Sequence, residues 1–154
     1  MAIVTFYRGD PNAPKPTQPA HLGVNAIITC KGKLLLEKRR DCEIWGLVGG
    51  GVKRKETQEA ALIREIREEL GLYIKPHQLK KLGVYGEPGR IAAYQDGSIW
   101  RMVVVVYGLE LEQEPKLTMS AESKALRFFS KEELKDIEIV ITHSDIVEDL
   151  FVNL

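Results

Sequence analysis

The stretch from Gly50 to Leu72, GGVKRKETQEAALIREIREELGL, constrains this chain more than any other. Thr57 is placed to cap a helix, and Ala60, Ala61, Leu62 and Arg64 are good helix formers. Gly71 sits where a helix-ending glycine belongs. At about 100° per residue, Leu62, Ile63, Ile66 and Leu70 fall on one side and predict a buried face. Five acids, Glu56, Glu59, Glu65, Glu68 and Glu69, lie in the helix or just ahead of it. Glu65, Glu68 and Glu69 are spaced i, i+3, i+4 and cluster on another side. Three like charges at that spacing repel one another. Either this is a solvated acidic face, or something positive sits among them. A divalent cation is the natural candidate, because hard cations take carboxylate oxygens.

The residues ahead of the helix favour the second reading. Trp45 to Gly51, WGLVGGG, is an apolar run closing on three glycines. It predicts a glycine turn running into a helix N-terminus, where free N–H groups and the positive dipole end suit phosphate. Lys53, Arg54 and Lys55 add positive charge to the same loop. Together with the carboxylate cluster, this describes a site for a metal-bound phosphate ester.

The same stretch resembles the signature of the Nudix hydrolase family, the MutT-like nucleoside diphosphate-X pyrophosphohydrolases. That signature reads Gly-x5-Glu-x7-Arg-Glu-apolar-x-Glu-Glu-x-Gly-apolar, and its positions are filled here by Gly50, Glu56, Arg64, Glu65, Ile66, Glu68, Glu69, Gly71 and Leu72. Val48 departs from the proline common before the glycines, and Lys53-Arg54-Lys55 from the Glu or Gly often found in relatives. Neither departure touches a residue implied to bind metal.

The resemblance implies an α/β/α sandwich, a mixed β-sheet flanked by helices, in a single domain over residues 1–154. It also implies hydrolysis of a phosphoanhydride in a nucleoside diphosphate linked to another moiety. Mg²⁺ is the implied cofactor, with Mn²⁺ a substitute. Glu65 and Glu69 are the first implied metal ligands, Glu68 follows, and Gly50 adds a backbone carbonyl. Glu56 is implied to act through water or as an orienting partner, and Arg64 to form an ion pair fixing one glutamate. For the general base, Glu68 and Glu122 both stand; Glu122 lies in a polar loop before a late strand, where relatives often supply a carboxylate. Lys53, Arg54, Arg39 and Arg90 are the expected substrate contacts. Pro88 falls 16 residues after Leu72, a spacing seen in relatives that cleave ADP-ribose, although a turn also uses proline there. ADP-ribose or a nucleotide sugar is therefore the first substrate expected. A nucleoside triphosphate pyrophosphatase is the alternative. A catalytically silent nucleotide sensor is a third reading, disfavoured because Glu56, Glu65, Glu68 and Glu69 are all present.

Composition bounds the partners. The 154 residues carry 22 basic and 22 acidic side chains, so the formal charge is zero and no basic excess serves nucleic acid or a membrane surface. No apolar run approaches the ~20 residues of a membrane span, and the N-terminus lacks the pattern of a signal peptide. A cytoplasmic location is the default expectation. A small nucleotide is the expected partner, and a homodimer is left open by the Pro-rich stretch Asp10 to Pro19, which reads as an extended connector within an N-terminal segment over residues 1–20. Cys30 and Cys42 form no zinc spacing. Trp45 reads as packing, and His143 as a residue near a helix terminus.

In order, strands are expected at Ile3–Tyr7, Leu22–Thr29, Lys33–Lys38, Leu79–Val84, Ile91–Tyr94, Ile99–Tyr107 and Leu126–Phe129. The second and third should form a hairpin at Lys31-Gly32. Asp96-Gly97 marks another hairpin. MVVVVY reads as a buried central strand. Ser130 to Glu133 has capping-box spacing, and Thr142–Val152 predicts a C-terminal helix.

Overall fold

The computed structural model describes residues 3–154, so Met1 and Ala2 of the expected N-terminal segment lie outside the described residues. Its strands are β1 (Val4–Arg8), β2 (His21–Cys30), β3 (Lys33–Arg39), β4 (Trp45–Gly46), β5 (Val48–Gly51), β6 (Lys80–Tyr85), β7 (Arg90–Tyr94), β8 (Ile99–Leu111) and β9 (Ser123–Phe129). Helix α1 spans Gln58–Leu70, and α2 spans Ile141–Val147 and runs on as a π-helical turn over Glu148–Val152. The main strand order is β1-β7-β8-β2-β3-β4, with β5 branching from β2, β6 from β8 and β9 from β3. Among the described strands, β2 and β8 are paired in parallel, from His21–Met102 to Cys30–Leu111, and the other strand pairs are antiparallel, so the sheet is mixed.

The central strands are apolar on both faces because each face carries a helix. Val24, Ala26, Ile28, Leu35, Val105 and Tyr107 pack with Ala61, Leu62, Ile66 and Leu70 of α1. Their neighbours Ile27, Leu34, Leu36, Val104 and Val106 point the other way, onto Ile146, Val147 and Phe151. Alternation along one strand thus feeds two cores, and the α/β/α sandwich is the result. Ile63, expected inside, is half-buried at the edge of the first core.

The caps of α1 form as the sequence predicts. Thr57 Oγ1 accepts the Ala60 N–H at 3.1 Å, and Gly71 adopts the left-handed conformation at φ 71° with its N–H on the Arg67 carbonyl. The Ser130–Glu133 box closes reciprocally and starts a short 3₁₀ turn. The Asp96-Gly97 turn joins β7 to β8.

Two expectations are corrected. The glycine run is not a turn: Val48–Gly51 is a strand, paired with Gly23–Ala26 of β2, and the helix starts seven residues after Gly51, beyond a separate loop. Also, β2 and β3 form only the stub of a hairpin, at Thr29–Leu34 and Cys30–Lys33, because β5 takes the rest of that edge of β2. The Pro-rich segment lies along the start of β8, with the Thr17 and Gln18 N–H groups on the Ile99 carbonyl.

Candidate active site

The insertion of β5 beside β2 carries the glycines to α1. Asn25, buried in β2, donates through Nδ2 to the carbonyls of Leu47 and Val48 and so holds β5 in place. A Cβ at Gly49 would lie 2.0 Å from the Val24 carbonyl oxygen, and one at Gly50 would lie 2.5 Å from the Glu65 carboxyl carbon. Only glycine permits these approaches.

Arg64 organises the outer part of the acidic cluster. Its guanidinium holds Glu56 at 2.7 Å and Glu65 at 2.8 Å, reaches Glu68 at 3.4 Å and donates to the Gly51 carbonyl. Glu56 also accepts the Lys53 N–H. The Arg64 side chain, followed by that N–H, holds the Glu56 carboxyl down to about 2. Arg64 therefore has the pairing role expected of it. The expectation of three mutually repelling glutamates is modified: Glu68 is half exposed and Glu65 is neutralised by Arg64.

Glu69 is different. It is 5% exposed and its Oε2 has no hydrogen-bond partner. Burial, then the neighbouring Glu37 and Glu65, raises its pKa strongly. Glu37, on β3 and 7% exposed, meets Glu69 and accepts the Ser123 hydroxyl at 2.7 Å. Its pKa is raised too, by burial above all. Sequence reasoning missed Glu37. The only signal was an acid at the inward position of an otherwise apolar strand, two residues after the buried Leu35.

Both carboxylates line a cavity of about 500 Å³, together with Gly49, Gly50, Arg39, Glu122, Tyr94 and His143. Glu122 stands at its exposed rim, its position fixed by the Arg40 N–H on its carbonyl. Arg39 reaches the cavity but is gripped by Asp41 at 2.9 and 2.6 Å. His143 is buried and its Nδ1 accepts the Leu47 N–H at 3.0 Å. Burial, then the charges of Arg39 and Arg90, lowers its pKa to about 3, so it is neutral with its proton on Nε2. His21, which has no supporting neighbours in the sequence, lines the same cavity edge-on to Trp100. Trp45 packs edge-on against Phe129, as packing.

Three expected substrate contacts are not brought to the cavity. Lys53 and Arg54 are exposed in the β5–α1 loop and do not line it. Arg90 is the clear correction: it is fully buried, bound to Glu87, Asp145 and the Thr142 carbonyl, and is a structural ion-pair centre. Pro88 sits in the turn closed by the Arg90 N–H on the Glu87 carbonyl.

The donor set suits a hard cation. Among the described residues no three His, Cys, Asp or Glu side chains converge as a ready cage, since Arg64 already engages Glu56, Glu65 and Glu68. Yet the bare Oε2 of Glu69 beside a second buried carboxylate calls for a positive partner, and a cation completed by phosphate oxygens and water needs few protein ligands.

Fold and site together define a class: a sandwich in which a capped helix presents the buried Glu69 carboxylate to a cavity large enough for a small molecule. Residues 19–150 match the NUDIX domain. The ADP-ribose pyrophosphatase of Methanocaldococcus jannaschii is 34% identical over 131 residues, covering 83% of this chain and 71% of that protein. The CTP pyrophosphohydrolase of Escherichia coli is 40% identical over 70 residues, 39% of this chain and 52% of that protein. Among solved structures, a MutT/nudix family protein from Enterococcus faecalis superposes with a TM-score of 0.68 at 23% identity, over 91% of this chain and 62% of that one. The NUDIX domain of Shewanella oneidensis NrtR, complexed with ADP ribose, gives 0.66 at 19% identity, over 90% and 89%. At those identities the two structures speak for the fold alone. The chain belongs to the Nudix family and is a Nudix hydrolase.

Proposed function

We propose that this chain hydrolyses the phosphoanhydride of a nucleoside diphosphate linked to another group, with a divalent cation, Mg²⁺ first, and with ADP-ribose as the first substrate to test. The observation that carries the reading is the unpartnered Glu69 Oε2 in a cavity walled by the glycine strand and α1. The choice of ADP-ribose draws on the Methanocaldococcus jannaschii relative, similar over most of both chains. The triphosphate alternative draws on the Escherichia coli relative, which matches over a shorter stretch.

Glu69 and Glu65 would hold the cation, with Glu68 and the Gly50 carbonyl at its edge. When bound, the cation neutralises phosphate oxygens and lowers the pKa of attached water. Arg64 keeps Glu56 and Glu65 in fixed rotamers, so the site is aligned before substrate arrives. Glu122 takes the proton of the attacking water. It lines the cavity and is exposed, whereas Glu68 is held by Arg64 and lies outside it. Gly49 and Gly50 let β5 lie close against β2 and against the Glu65 carboxylate, and so bring the strand backbone to the α1 acids. Arg39 lines the same cavity, although its guanidinium is bound to Asp41.

The test is a side-by-side kcat/KM on ADP-ribose, UDP- and GDP-sugars and the nucleoside triphosphates, with Mg²⁺. ADP-ribose is expected to lead. A triphosphate preferred about a hundredfold, some 2.7 kcal/mol in transition-state binding, would refute that choice.

A further inference from the structure

Neither Glu37 nor Glu69 forms an ion pair with a basic side chain among the described residues, although the charge of Arg39 reaches Glu37. Arg64 is taken by Glu56, Glu65 and Glu68. Arg39, on the same strand as Glu37, is taken by Asp41. Two more acids, Glu65 and Glu122, add negative charge to the surroundings of the pair. Glu37 gains one hydroxyl bond, from Ser123. The other buried residues of strand β3, Leu34, Leu35 and Leu36, are apolar, and an aliphatic residue at 37 would be buried at less cost than an acid. A buried carboxylate in such a place needs a proton or a cation.

We propose that Glu37 is a further carboxylate of the cation site, holding a divalent cation jointly with Glu69 where both line the cavity. The inference rests on the reading that the α1 carboxylates bind such a cation, and it adds a ligand from the sheet that the helix motif does not contain. A single proton shared by the pair engages one oxygen of each acid, and with Ser123 on Glu37 it still leaves a Glu69 oxygen bare. A cation between the two draws on both carboxylates and leaves its remaining positions to water and phosphate oxygens. Mg²⁺ is commonly held this way, by one or two carboxylates plus phosphates. That also explains why no cage of three acidic side chains is needed. Gly50, on the strand lining the same cavity, has the Glu65 carboxylate packed where its side chain would be. Ser123 fixes one Glu37 oxygen and so sets the orientation of the carboxylate, as groups behind a metal ligand commonly do.

The test is a Mn²⁺ titration of the whole chain, followed by the loss of the free-ion electron paramagnetic resonance signal, with no nucleotide present. Wild type, Glu37→Gln, Glu37→Asp and Glu69→Gln are compared, together with melting in EDTA. Glu37→Gln should weaken Mn²⁺ binding about tenfold or more, while melting in EDTA no lower than wild type. Glu37→Asp, which keeps the charge, should recover part of the affinity. Glu37→Leu suits the apolar strand and should lose Mn²⁺ affinity to the same extent, so it replaces the Gln variant if that one does not fold. Wild-type affinity in Glu37→Gln or Glu37→Leu, with Glu69→Gln impaired, overturns the inference and leaves the α1 carboxylates as the cation site. Absence of Mn²⁺ binding by wild type overturns both.

Discussion

Gly50 and Glu65 stand closer than any side chain at position 50 would allow: a Cβ there would meet the Glu65 carboxyl carbon and one of its oxygens at 2.5 Å. The glycine is therefore a spacing device between strand β5 and helix α1. Gly50→Ala should push the Glu65 carboxylate off its Arg64 partner. We expect kcat/KM to fall about 10²-fold, as for an ångström-scale misplacement, with a stability loss of only about 1–3 kcal/mol from overpacking. Gly49→Ala is more severe, because its Cβ would meet backbone, the Val24 carbonyl oxygen at 2.0 Å. The β2–β5 pairing must open, at about 3 kcal/mol or more. Urea unfolding and steady-state kinetics on both variants separate the two effects. Equal stability of Gly49→Ala and wild type would contradict the packing.

Arg90 should matter for stability and not for substrate. It is buried against Asp145, Glu87 and the Thr142 carbonyl, and Arg8 shares Asp145 at 2.9 Å. Arg90→Ala leaves those acids without their central cation, at a cost of about 3 kcal/mol after allowing for the part-exposed partners. In the folded fraction KM for ADP-ribose should stay within about threefold, under 1 kcal/mol. A KM raised tenfold with unchanged unfolding would return Arg90 to the substrate site.

His143 sets a pH dependence. Its pKa is lowered to about 3 in the folded chain, first by burial, whereas the unfolded side chain titrates near 6.5. Between those values the unfolded chain holds one more proton than the folded one. Stability is therefore full above about pH 6.5 and falls as the pH drops toward 3, by up to about 1.4 kcal/mol per pH unit. Glu37 and Glu69, whose pKa values burial raises, act with the opposite sign, and His21, lowered by burial, acts with the same sign, so the difference between the wild-type and His143→Gln profiles is what isolates His143. His143→Gln, whose amide oxygen can accept the Leu47 N–H, should flatten the profile between pH 5 and 6.5. Parallel profiles for the two proteins in that window would show that His143 does not supply the slope.

The parts of this fold legible in the sequence were those governed by neighbours in the chain. Thr57, Gly71 and the Ser130–Glu133 box act within one turn, and Asp96-Gly97 sets a hairpin whose strands follow at once. Arg64 lies within eight residues of the glutamates it pairs with, and the family signature, confined to that stretch, implied an ion pair there. Strand β5 was not foreseen, because three glycines carry no alternation and favour turns; its pairing comes from Asn25 and β2, more than twenty residues back. Arg90 reads as a hairpin surface residue until Asp145, 55 positions later, folds over it. Glu37 and Glu69 meet only when β3 and α1 pack, so a pattern confined to the helix could include one and not the other.

Removing the cation's counter-charge should separate folding from function at Glu69. Its carboxylate is buried, its Oε2 has no partner, and Glu37 and Glu65 crowd it. Without metal, Glu69→Gln replaces a strained buried acid by a neutral group of the same shape. Its melting temperature in EDTA should equal or exceed that of wild type, because charge repulsion and desolvation are both relieved. Adding Mg²⁺ should raise the wild-type melting temperature by mass action on the native state and leave the variant nearly unmoved. Activity should run the other way. Wild type should lose all turnover in EDTA and regain it with Mg²⁺ or Mn²⁺, while Glu69→Gln should be slower by about 10³-fold or more, since a charged ligand stabilises the transition state by several kcal/mol. Differential scanning fluorimetry and an ADP-ribose assay on the same preparations read both effects. Near-native turnover in Glu69→Gln, or full wild-type activity in EDTA, would place the chemistry away from the α1 carboxylates.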